Sequence, residues 1–205
     1  MGYSVELYGL DWQKLGRVFG SGDRELYEAV VQKEGPRLSV ASDAELKAAW
    51  ERALGELLLG DLGRELAALG AEAKARAPQE ASDATALAVA AVIRNQGEPI
   101  GDLRHSSVSG QYFRETFLAH DAPRALNTSV DLLLLVSRPL FGLTHGGFPS
   151  WGGFRWSEVR AVLSGRSLDQ LPEMDDSDEQ AWMYKLIDAL SYADETRQDI
   201  VSLYL

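Results

Sequence analysis

The alternation of apolar and polar positions is clearest at the two ends of the chain. Tyr3, Val5 and Leu7 alternate with Ser4, Glu6 and Tyr8, the period of two expected of a strand with one buried face. Asp199 to Leu205 is β-branched and alternates in the same way, which predicts a terminal strand whose natural place is beside the first. Between them the period becomes helical. Asp11 is placed to cap a short helix, Trp12 to Val18, stopped by Gly20-Ser21-Gly22. Leu26, Tyr27, Val30 and Val31 share one face of a second helix, starting at Ser21 or Asp23 and running to about Lys33, which Gly35-Pro36 is expected to end.

Ser42-Asp43-Ala44-Glu45 reads as a capping box, with a hydroxyl at the cap and a carboxylate three residues on. Leu46, Ala49, Trp50, Ala53, Leu54, Leu57 and Leu58 then keep to helical spacing. Leu62 to Ala77, closed by Pro78, and Ala84 to Asn95, closed by Gly97, complete an alanine-rich helical layer expected to pack on the sheet. Pro99 to Gly110 reads as a loop, Gln111 to Ala119 as a helix, and Asn127 or Ser129 as the cap of another through Leu135. The glycine- and aromatic-rich segment Val136 to Trp156 follows, with a strand expected at Gly153 to Trp156, then a helix capped by Ser157 and running to Leu163. A polar loop, Gly165 to Asp178, leads to a last helix whose capping box is Ser177-Asp178-Glu179-Gln180 and whose apolar positions are Trp182, Met183, Leu186, Ile187, Leu190 and Tyr192 or Ala193. The pattern predicts a single α+β domain over residues 1–205, mostly helical, with a small sheet formed by the N-terminal and C-terminal strands.

Composition narrows the function classes. With 45% hydrophobic and 25% charged residues, 205 residues can bury a substantial core. No cysteine is present, which removes disulfides, thiolate metal sites and a cysteine nucleophile. There is no basic, then apolar, opening of a secretory signal and no apolar run of the roughly 18–20 residues that a membrane helix needs, so a cytoplasmic chain without membrane association is expected. A formal charge of −11 argues against nucleic acid, whose binding needs a basic surface. The acid is concentrated: ten Asp and Glu stand between Asp169 and Asp199 against Lys185 and Arg197, which points to a basic protein partner if this face binds anything.

The opening YSVELYGLD with GSGDREL, the central RPLFGL and FPSWGG, and the terminal QDIVSLY together resemble an uncharacterised bacterial family classed only as a domain of unknown function. The resemblance touches about a quarter of the chain, at both ends and the middle. It implies membership and brings no reaction, ligand or site residue with it.

The residues themselves specify no reaction. His105, His120 and His145 sit in no metal-ligand spacing, so no metal or cofactor is expected. Ser109 lacks the preceding glycine of a G-x-S-x-G elbow, Gly20-Ser-Gly-Asp lacks the lysine of a phosphate loop, and the acids from Asp169 onward miss the calcium-loop pattern. The strongest binding candidates are Arg138, His145, Trp151, Arg155 and Trp156, with Phe141 and Phe148 beside them and His105 in the other irregular segment, because Arg and Trp are enriched at binding hot spots. The competing reading makes Phe148, Trp151 and Trp156 core plugs and the glycines simple turns. Two functions are therefore expected. One is a non-catalytic interaction module, such as a regulator, adaptor or toxin-neutralising partner, binding through the acidic C-terminal face or the loop 138–156. The other is a hydrolase or transferase with a pocket assembled from His105, His145 and Arg138, in which case these three would line one cleft.

Overall fold

The computed structural model describes residues 3–41, 44–69, 79–105, 140–163 and 177–205, and it is an α+β protein. The expected helices within 111–135, the capping box at Ser42-Asp43, the segment 70–78 and the loop 165–176 lie outside the described residues. The chain divides into two compact units, one carrying the main sheet and the other mostly helical.

In the sheet unit, β1 (Tyr3–Leu10), β3 (Glu98–His105), β5 (Ser150–Phe154) and β6 (Asp199–Tyr204) form an antiparallel sheet in the order β3-β1-β6-β5. The terminal strands pair as expected, Val5 opposite Tyr204 and Leu7 opposite Ser202. Period-two alternation puts Val5, Leu7, Leu103, Phe154, Ile200 and Tyr204 in one core cluster. Two helices close it, α6 (Trp156–Leu163) through Val159 and α7 (Ser177–Thr196) through Leu186, Ile187, Ala189, Leu190 and Ala193. A Cβ on Gly101 would stand 3.3 Å from Leu7 Cδ1, a tight contact, and 3.5 Å from the Cβ of Ala189 on α7, an ordinary one. The alternate residues Trp151, Val201 and Leu203 are buried as well, so β5 and β6 have apolar residues buried on both faces.

Three expectations need correction in this unit. The first half of Pro99 to Gly110 is strand β3, not loop. Its register against β1 skips Ile100, since Leu7 faces Gly101 and Tyr8 faces Pro99. That bulge breaks the spacing of Ile100 and Leu103 into an odd interval, which hides the strand from a period-two reading. Pro99 is tolerated because β3 is an edge strand. The strand expected at Gly153 to Trp156 is Ser150–Phe154, and α6 begins at Trp156 rather than after a Ser157 cap.

The helical unit contains α1 (Trp12–Val18), α2 (Arg24–Ala41), α3 (Ala44–Leu58), α4 (Asp61–Leu69) and α5 (Asp83–Gln96), with a two-residue parallel pair of β2 (Gln79–Glu80) and β4 (Leu143–Thr144). Asp11 caps α1 by accepting from the Lys14 N–H, and Ser82 caps α5 by accepting from the Thr85 N–H. Every residue of α5 from Ala88 to Ile93 is buried, and Trp50, Leu54, Leu57 and Leu58 of α3 are fully buried. Gly20, at φ 65°, and Gly63 are in backbone contact, and a Cβ on either would collide with the other segment.

Helix α2 does not stop at Gly35-Pro36 but runs through the proline to Ala41. The buried carboxylate of Glu34 makes contacts beyond the proline and across to α5. It meets Arg37 one turn on, beyond the proline, at 3.3 Å, and Arg94 of α5 at 3.4 Å. Of the two pairs, the one with Arg94 is tertiary and the one with Arg37 spans the proline within the helix.

Candidate functional site

The corner where β5 enters α6 and α7 enters β6 gathers the chemistry of the sheet unit. Arg155 occupies the N-cap position of α6 and has no side-chain acceptor to offer the exposed helix N–H groups. Asp199, the first residue of β6, supplies it: the Trp156 N–H donates to Asp199 Oδ1 at 2.7 Å. The Arg155 N–H donates to Glu158 Oε2 at 2.8 Å, the returning half of a capping box. The Arg155 guanidinium also reaches Asp199 Oδ2 at 3.4 Å, and the Trp156 indole N–H donates to Asp194 Oδ1 at 3.0 Å. The partly buried indole is thereby fixed at both its backbone and its ring nitrogen.

Two more guanidinium groups stand against that ring. The Cζ of Arg160 lies 5.6 Å from the Trp156 centroid and that of Arg197 5.9 Å, both within cation–π range. Arg160 is one helical turn after Trp156 on α6, so its placement follows from i, i+4 spacing. Arg197 arrives by a different route. It is the residue after α7 in a left-handed turn at φ 57°, with its N–H on the Asp194 carbonyl and the next N–H, of Gln198, on the Ala193 carbonyl. That is a Schellman ending with arginine where glycine is the usual residue. Both side chains are exposed, and among the described residues neither is ion-paired. The carboxylates of Glu158, Asp194 and Asp199 are engaged with the N–H groups of Arg155 and Trp156. Part of the acidic C-terminal run is thus committed inside the fold, while Asp188 and Glu195 stay exposed on α7.

On the far edge of the sheet, Tyr192 and Gln198 donate to the two oxygens of Glu98 at 2.7 and 3.2 Å. These hydrogen bonds, Tyr192 first, hold the Glu98 carboxyl below its ordinary pKa, and the same bond raises the Tyr192 phenol above its own.

The other sequence-derived candidates are distributed through the chain. Trp151 is inside β5, opposite Leu203, with 1% of its surface exposed. His105 ends β3 opposite Tyr3, in the sheet unit, whereas His145 belongs to the helical unit. Arg138 lies outside the described residues. His145 is buried, with Nδ1 3.0 Å from the Ala81 carbonyl oxygen, so this nitrogen carries the proton; Nε2 is 3.5 Å from Asp83 Oδ1. A Cβ on Gly147 would stand 3.0 Å from Nε2, so the Gly147 backbone packs against the ring. The arrangement clasps the chain after β4 to the start of α5. Among the described residues no group of three His, Asp or Glu side chains could hold a metal ion. Phe141 is core, 5.2 Å edge-on to Phe19 and 6.0 Å from Trp12, and Phe148 is half exposed. No described helix is long and apolar enough to cross a membrane.

Searches among curated proteins and among solved structures return no significant match. A family model covers the whole chain, residues 1–205, and on that match the chain belongs to the family described as Domain of unknown function (DUF7691).

Proposed function

We propose that the chain is a non-catalytic interaction module whose contact surface is Trp156 with Arg155, Arg160 and Arg197. The observation that carries this reading is the pair of exposed guanidinium groups held on one fixed indole without a carboxylate partner among the described residues. Trp and Arg dominate binding hot spots because they combine a large apolar area with directional donors, and a ring already fixed by hydrogen bonds loses little freedom on binding. Arg155 and Trp156 come from the glycine-rich segment, so the surface is an extension of the loop 138–156 onto α6 and the α7–β6 turn.

The test is affinity enrichment from a lysate of the native host, with the wild-type chain and an Arg160→Gln/Arg197→Gly double variant as baits at matched melting temperature. A partner held by the wild type and lost by the double variant supports the reading. Equal recovery by both baits contradicts it.

A further inference from the structure

We infer that the element seated on this surface is a short acidic peptide segment of a partner protein, with its carboxylates on Arg160 and Arg197; the inference rests on the interaction reading above. A guanidinium presents a planar fork of donors that matches a carboxylate in a two-point contact. Here two such forks stand near one ring, their Cζ atoms no farther apart than the sum of their distances to its centroid, 5.6 and 5.9 Å. Same-side carboxylates of an extended peptide recur about every 6.8 Å, which fits inside that limit.

The backbone at Arg197 supplies an independent observation. A left-handed residue after a helix is easiest for glycine, and any Cβ there, arginine's included, carries a conformational cost. Arginine at this position retains a side chain at the expense of the turn, which is expected where the side chain serves binding.

Charge decides between a short segment and a long polyanion. The whole chain carries −11. At physiological salt, charges are screened over about 8 Å, so a short acidic segment responds mainly to the two arginines beneath it, whereas a nucleic acid extends over the acidic remainder and is repelled.

The experiment uses the full chain and a fluorescein-labelled alternating Glu-Gly octapeptide, read by anisotropy at low and at physiological salt, with inorganic phosphate as a competitor. Wild type should bind the octapeptide more weakly as salt rises. Arg160→Gln and Arg197→Gly should each weaken it roughly tenfold, the scale of one lost charge-assisted contact. Arg197→Gly should melt no lower than wild type, because glycine relieves the turn; a lower melting temperature would assign Arg197 to the fold and overturn the argument from the turn. Phosphate displacing the octapeptide at equal concentration would make a free anion the ligand and overturn the peptide assignment. No octapeptide binding, together with a lysate partner that the double variant loses, would end this inference and leave the interaction reading standing. Failure of both measurements would end both.

Discussion

Trp151 is packed within β5 with Leu203 opposite, and Trp156 starts α6 with its ring partly exposed, although only four residues separate them in the glycine-rich segment. Trp151→Ala should cost about 3–5 kcal/mol, the range for truncating a buried tryptophan. For a chain of this size each kcal/mol lowers the melting temperature by about 2–4 °C, so the loss is plain in a thermal scan. A melting temperature within a degree or so of wild type would place Trp151 outside the core. The two tryptophans look alike in the sequence because both are flanked by glycine or arginine. What separates them is the switch from period two to helical period at Arg155. Neither Arg160 nor Arg197 was among the sequence-derived candidates: the spacing of Arg160 to Trp156 becomes helical only once α6 starts at Trp156, and no sequence signal places arginine in a left-handed turn where glycine is favoured.

Elements whose stability is local were legible. Asp11 caps α1 as its position predicts, and β1 and β6 alternate cleanly. Elements settled by tertiary contacts were hidden. The bulge at Ile100 conceals β3, and α2 continues through Pro36, with the Glu34 carboxylate meeting Arg37 beyond the proline and Arg94 on α5. Helix α6 was expected to Leu163 and is there, but its cap was hidden, because it comes from Asp199, more than forty residues later in the chain. Asp199→Ala should therefore cost about 1–2 kcal/mol, the upper half of the range for losing a helix cap, read by chemical denaturation. A loss below a few tenths would show that water replaces the carboxylate.

The tie between α7 and β3 through Glu98 has its own pH signature. Folding lowers the Glu98 pKa below the ordinary 4.5, so its contribution is complete above that value and is lost as pH falls through the lower folded value. Folding raises the Tyr192 pKa above 10.0, so its contribution is complete below 10.0 and is lost as pH rises through the higher folded value. Both groups are exposed and the effect is small. Wild type should lose a little more stability than Tyr192→Phe at each extreme, and matched profiles for the two proteins would refute the tie.

At the scale of the whole molecule, a strongly acidic chain keeps two guanidinium groups exposed on one ring while the carboxylates of Asp194 and Asp199 are engaged by the indole and backbone N–H groups of Trp156. That contrast between net charge and local chemistry carries the functional reading, and composition alone pointed instead to a basic partner at the acidic face. The placement of Arg155 and Trp156 at a corner was partly readable from the glycine-rich segment. The contribution of α7 was not, because it depends on how β6 returns to the sheet. Hydrogen exchange on the captured complex against the free chain tests the central claim most directly. The account predicts slowed exchange at residues 155–160 and 193–198. Protection elsewhere, with both of these segments exchanging as in the free chain, would contradict it.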